Sequence, residues 1–265
     1  MVLFVYRSRK FNRLYALVLF LYAVWFTVGL FVLGLGLQTP FGPWADFIFI
    51  ALAALVLLLH LAGQFPTVPV LLVFLWFTVL SGVVEGVGAV TGFPFGDYFY
   101  TGNFGPILFG VLPLAIPLAW WVVVWPIHCL VHSALAGRGS ILWVPIVTGV
   151  IAVVADLMIE PAATLVRNYW NWDGSGVYYG VPWQNFLGWF GVAFVLSFFS
   201  QVFLSRGPFK REELRVPLWV LLSTIGTFVL VSLVSGKWLV LLVAIVFCAM
   251  IRRLWVMTRP SGSTH

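Results

Sequence analysis

Two carboxylates stand one helical turn apart in Asp156-Leu-Met-Ile-Glu160-Pro161, in a chain with only eight Asp and Glu among 265 residues. An ionised Asp near a bilayer centre costs roughly 2.5–3.5 kcal/mol on insertion scales, so acids kept in apolar segments are candidates for chemistry. At i and i+4 the two occupy one helix face with their side chains in reach of each other. Pro161 disfavours helical geometry at Glu160, so the helix is expected to end or kink there. Both acids would then lie near the negative end of the helix dipole. That placement, partial desolvation and mutual repulsion oppose two charges, and one proton shared by the pair is expected. Glu85, near the C-terminal end of its own apolar segment, is a third acid able to join them across the bundle. A carboxylic acid beside a carboxylate puts an acid and a base in one pocket. The competing reading is that these acids pair with Arg167 or cap loop amides.

Other residues bear on the chemistry less directly. Trp170, Trp172, Tyr178, Tyr179 and Trp183 suit a membrane interface. They also suit the lining of an apolar site, where ring faces stabilise a transient cation by about 2 kcal/mol when desolvated. His128 and His132 have the i, i+4 spacing of metal ligands, with His60 at the same level. No acid falls near them in the expected topology, so no metal site is expected. Four histidines are too few for a membrane di-iron desaturase or hydroxylase, and the four aspartates form no metal-diphosphate motif of a prenyltransferase. Gly86-Val-Gly88-Ala-Val-Thr-Gly92 ends an apolar segment rather than following a strand, so it is no dinucleotide fingerprint. Cys129 and Cys248 sit far apart in apolar runs and give neither a disulfide framework nor metal spacing.

The elements that must position these residues are membrane helices. Hydrophobic residues make up 62% and charged residues 8% of the chain, with a mean hydropathy of +1.08. Repeated long apolar runs of this kind place it among all-α polytopic membrane proteins, because lipid leaves backbone groups no partner outside a helix or closed barrel. Spans are expected at about 14–37, 45–63, 67–90, 105–131, 141–160, 184–205, 216–235 and 238–256, forming one integral membrane domain over 1–265. The basic N-terminal stretch precedes an apolar run too long for a secretory signal, so it reads as a first membrane helix.

With eight spans both termini share a side. Arg7, Arg9, Lys10, Arg13, Arg138, Arg206, Lys210, Arg211, Arg215, Arg252, Arg253 and Arg259 fall on that side, and only Arg167 and Lys237 fall opposite. This bias makes the termini cytoplasmic in the cell membrane and accounts for the pI near 9.6 without nucleic acid. Glu85, Asp97, Asp156, Glu160 and Asp173 then gather at the non-cytoplasmic face, around two long aromatic loops at about 91–104 and 161–183. Each loop follows a helix carrying a Glu near its end, contains paired tyrosines and leads to Asn-Phe with a glycine close behind. The likeness hints at a parallel repeat of two hairpins, helices 3–4 and 5–6, of a kind known to place sites at the repeat interface.

The ordered motifs Glu85-Gly86, Thr91-Gly-Phe-Pro-Phe-Gly-Asp97-Tyr98, Asp156-Leu-x-x-Glu160-Pro161, Trp170-x-Trp172 and Tyr179-Gly-x-Pro-x-x-Asn185-Phe-x-Gly-Trp189 resemble the membrane-integral carotenoid 1,2-hydratases. That group includes bisanhydrobacterioruberin and gamma-carotene hydratases. The resemblance covers about residues 80–190 well and the remainder by hydropathy. It implies addition of water, without a cofactor, to the terminal double bond of an acyclic carotenoid, leaving a tertiary alcohol.

The residue chemistry suits that reaction. Asp156 or Glu160 would deliver the proton, and charge would develop under aromatic faces. Glu85 or Asp97 would orient the water. Tyr98 and Asn185 would serve as hydrogen-bonding partners, with Trp170, Trp172, Tyr179 and Arg167 completing the substrate site. The implied partners are the lipid-soluble carotenoid, water, membrane lipids and other enzymes of carotenoid biosynthesis. A carotene cyclase, starting from the same cation, and a proton-coupled transporter are the rival readings.

Overall fold

The computed structural model describes residues 9–37, 41–137, 140–204 and 207–258. Arg7, Arg138, Arg206 and Arg259 of the basic set lie outside the described residues. Within them run eight helices: α1 (Arg9–Gly34), α2 (Pro43–Ala62), α3 (Thr67–Thr91), α4 (Ala115–Ala134), α5 (Trp143–Leu165), α6 (Trp183–Leu204), α7 (Arg211–Val234) and α8 (Leu239–Met257). Among the described residues, 7 of these helices are long and apolar enough to cross a membrane by length and composition. The chain is an all-α polytopic membrane protein, and its helices alternate in direction. At one end of the bundle Tyr15 of α1 meets His60 of α2, and the amide of Phe209 donates to Ser133 Oγ of α4. At the other end lie the two long loops.

Burial sets the order of packing. Along α4, residues Trp120 through Val131 are buried in unbroken succession, while α1, α3 and α8 carry rows of exposed Leu, Val and Phe. A helix buried on all sides belongs at the centre of the bundle, and an apolar face left uncovered suits lipid.

Two of the boundaries that move bear on the site. The fourth helix starts at Ala115 rather than near 105. Gly105, Phe109 and Gly110 adopt φ of 85°, 51° and 73°, which no helix accommodates. They turn the chain instead through a short hairpin of β2 (Ile107–Leu108) and β3 (Leu112–Pro113). The fifth helix does not end at Pro161 but continues to Leu165, so Glu160 lies more than a turn inside it.

Continuation past Pro161 has a local cause. Proline lacks the N–H that would bond to the carbonyl four residues earlier, here Leu157. The Tyr178 hydroxyl, from the loop beyond, donates to that carbonyl at 2.6 Å. The same device recurs in α7, where Pro217 leaves the Glu213 carbonyl without its helical donor. His60 Nε2 donates to it at 2.8 Å while Nδ1 accepts from Tyr15 at 2.9 Å, the carbonyl fixing which nitrogen carries the proton. His60 thereby has a structural task. Among the described residues no group of three or more His, Cys, Asp or Glu is placed to hold a metal.

The long loops join through two further strands. β1 (Tyr98–Tyr100) and β4 (Trp170–Trp172) pair antiparallel, with Phe99 opposite Asn171 at the centre. This register relates the two strands by a local two-fold axis. The helices that lead into them, α3 and α5, each carry a glutamate near the loop end.

Candidate active site

Glu85 and Glu160 face one apolar chamber, roofed by the β1–β4 ribbon. Strand geometry explains the roof. Residues at i and i+2 project from one face, so Tyr98 and Tyr100 point together, as do Trp170 and Trp172. Tyr98 and Tyr100 each donate to Glu85 Oε2 at 2.8 Å. Trp172 and Trp170 donate to Glu160 Oε2 at 3.0 and 3.4 Å.

The correspondence extends to the other oxygens. Trp120 Nε1, from α4, donates to Glu85 Oε1 at 2.8 Å. Asn185 Nδ2, from the first turn of α6, donates to Glu160 Oε1 at 3.2 Å. Each glutamate therefore receives two aromatic donors from the strand that follows it and one donor from the helix after that. The repeat foreshadowed in the loops takes this form. Its Asn-Phe element does not correspond, because Asn103 stays in the loop and donates to the Asn168 carbonyl at 3.1 Å, while Asn185 lies on a helix.

Asp156 breaks the symmetry. It sits four residues before Glu160, where α3 has the buried Ser81 four residues before Glu85. It is 0% exposed and lies behind the chamber wall rather than on it. Its Oδ2 accepts from Asn185 Nδ2 at 2.7 Å, and its Oδ1 has no hydrogen-bond partner among the described residues. Asn185 thus bridges the two carboxyls of α5.

The chamber wall is aromatic. Trp120 and Trp189 stack with centroids 4.1 Å apart, and Phe95 closes one side. Phe95 fits because glycines face it from two helices: a Cβ on Gly88 would come within 2.8 Å of its ring, and one on Gly188 within 2.5 Å. Burial, and after it the Glu85 carboxylate, pushes the Tyr98 and Tyr100 phenols well above their ordinary range, so both remain O–H groups.

Of the residues expected from sequence, Glu85, Tyr98, Glu160, Trp170, Trp172 and Asn185 line the chamber. Asp97 lies outside, exposed, on a separate crevice with Asp173. Arg167 pairs with Asp46 of α2 and donates to Tyr169, so it does not neutralise the buried acids. Tyr179 packs edge-on against Tyr178 and is absent from the chamber wall. Tyr100 and Trp120 were missed as site residues. The Tyr98-x-Tyr100 and Trp170-x-Trp172 spacings carried a shared strand signal for the first; Trp120, 35 residues from Glu85, had no local signal at all.

Comparison with known proteins follows the same region. The family described as Carotenoid biosynthesis protein matches residues 44–251. A relative named Bisanhydrobacterioruberin hydratase, from Haloarcula japonica, is 32% identical over 157 residues, covering 58% of this chain and 51% of the relative. The chain thus spans about half the length of the curated relative it matches. No solved structure matches.

Proposed function

Because the chain belongs to the carotenoid biosynthesis protein family, we propose that it hydrates a carotenoid in the cell membrane, adding water across the terminal C=C of an acyclic end. The observation that carries this reading is a pair of buried glutamates on the wall of one apolar, aromatic-lined chamber. A carboxyl group protonates the less substituted alkene carbon, and the π pair forms the new C–H bond. The tertiary cation left behind sits among the faces of Trp120, Trp189 and the roof aromatics. Water attacks this cation and gives its proton to a carboxylate, and a tertiary alcohol results. The reaction uses an acid, a base and water, all of which the chamber's residues can supply or hold.

Expression in a bacterium that makes lycopene or an elongated acyclic carotenoid tests the reading by pigment mass spectrometry. Products heavier by one water per modified end are expected. Ring closure at unchanged mass would indicate a cyclase instead. Unmodified pigment with every acyclic substrate, in membranes that contain the protein, would overturn both, and proton-dependent pigment flux would then favour a transporter.

A further inference from the structure

We propose that Glu85 is the proton donor and Glu160 the carboxylate that activates water, the two dividing the work by the kind of donor each faces. The inference rests on the hydratase reading above and reverses the roles that spacing alone suggested. A carboxyl group can hold a proton without losing hydrogen bonds only where a neighbour can switch from donating to accepting. A hydroxyl can do so; an indole N–H and an amide N–H cannot, since neither nitrogen has a lone pair to offer.

Glu85 has the switchable neighbours. Ionised, it accepts from Tyr98, Tyr100 and Trp120. Protonated on Oε2, it donates to the Tyr98 oxygen, and Tyr98 turns its own proton to the Glu85 backbone carbonyl, 3.2 Å away. Trp120 keeps its bond to Oε1 throughout. Both forms are fully satisfied, which a group that cycles its proton in each turnover requires.

Among the described residues, Glu160 accepts only from nitrogen donors: Trp170, Trp172 and Asn185. Each holds its oxygens as acceptors. A proton taken there displaces a donor and is readily passed on, which suits transient capture from water rather than storage. Asp156 is off the chamber wall and acts through Asn185, whose amide it fixes. In turnover the Glu85 proton forms the C–H bond, water forms the C–O bond, and Glu160 takes one water proton. Return of that proton to Glu85 closes the cycle with a net addition of one water.

Deuterium separates the two roles. In membranes bearing the full chain, supplied with an acyclic carotenoid in heavy water, the wild type should yield alcohol carrying deuterium beside the carbinol carbon. Glu160→Gln should make no alcohol, yet the recovered carotenoid should gain deuterium, because the cation still forms and collapses back to alkene when the Glu85 carboxylate removes a protium, rather than the added deuteron, from a carbon next to the cation. Trp172→Phe, a milder change at the same carboxylate, should slow alcohol formation and leave exchange intact. Glu85→Gln should show neither alcohol nor exchange.

A second arm needs no turnover. Glutamine at 85 satisfies the same partners, its NH₂ donating to the tyrosines and its oxygen accepting from Trp120, so its melting temperature should match wild type. Glutamine at 160 sets an NH₂ against N–H donors, and its melting temperature should fall. Exchange lost with Glu160→Gln but kept with Glu85→Gln would overturn the assignment, as would exchange kept or lost in both. A reversed order of melting would overturn the donor argument. If the wild type gives neither alcohol nor deuterium, the hydratase reading fails, and the melting comparison still decides the donor arrangement.

Discussion

A carboxyl group in lipid is defined by what donates to it, and here the donors differ in kind. Asn185 holds the most demanding position, since its single NH₂ serves Asp156 and Glu160 together. Asn185→Ala removes that bridge and leaves two buried carboxyls facing each other. Losing a donor to a buried polar group costs about 1–3 kcal/mol, and more where the group is charged. A clear drop in melting temperature and loss of hydration are expected, read by thermal unfolding in detergent and by pigment analysis; unchanged melting would show that the bridge carries no weight. At this scale the sequence pointed to three acids that the fold buries near one chamber, and not to the groups that surround each of them. The i, i+4 spacing drew attention to Asp156 and Glu160 as a pair. It could not reveal that Asp156 lies behind the wall or that Trp120, from another helix, completes Glu85.

Proline marks where the elements departed from expectation. Pro161 reads as a helix end because the rule that proline frees a carbonyl is sound. The rule is local, and the Tyr178 hydroxyl that repairs Leu157 comes from 21 residues further along the chain. A helix that continues one turn carries Glu160 under the β1–β4 roof rather than at a frayed terminus. The repair makes a specific expectation. Tyr178→Phe should lower stability by about 1–3 kcal/mol by orphaning a carbonyl. In a Pro161→Ala background, where a backbone amide returns, the same change should cost clearly less. Equal costs in the two backgrounds, measured as a double-mutant cycle of thermal unfolding, would refute the repair. The strands were legible in a weaker sense. Two aromatic pairs at i, i+2 spacing were visible, but three-residue strands inside glycine-rich loops leave too short a pattern to announce their pairing.

For the whole molecule, the proposed function requires that one end of a long polyene reach acids buried inside the bundle. The chamber shares Ile50, Phe104 and Phe228 with a neighbouring cleft, and that cleft shares Leu33, Asp46, Phe49 and Thr227 with a third between α1 and α2. The three clefts lie in succession from the glutamates past the Arg167–Asp46 ion pair to Trp25, Phe26 and Gly29 on α1, and under the proposed function we take this succession as the path of the polyene. That helix is among those with the most exposed apolar surface, so the route ends where lipid would be. Arg167, expected at the substrate, lies on the wall of the middle cleft.

Gly29 provides the test, since it lines the outer cleft and a Cβ added there meets no atom within 4 Å. Gly29→Trp should therefore leave melting unchanged while filling the outer cleft. It should slow hydration of a full-length acyclic carotenoid by about tenfold or more, the consequence of roughly 1.4 kcal/mol lost in transition-state binding. A short acyclic isoprenoid with the same terminal alkene needs only the inner chamber, and its conversion should be little affected. Equal slowing of both substrates, or of neither, would place the polyene elsewhere on the bundle.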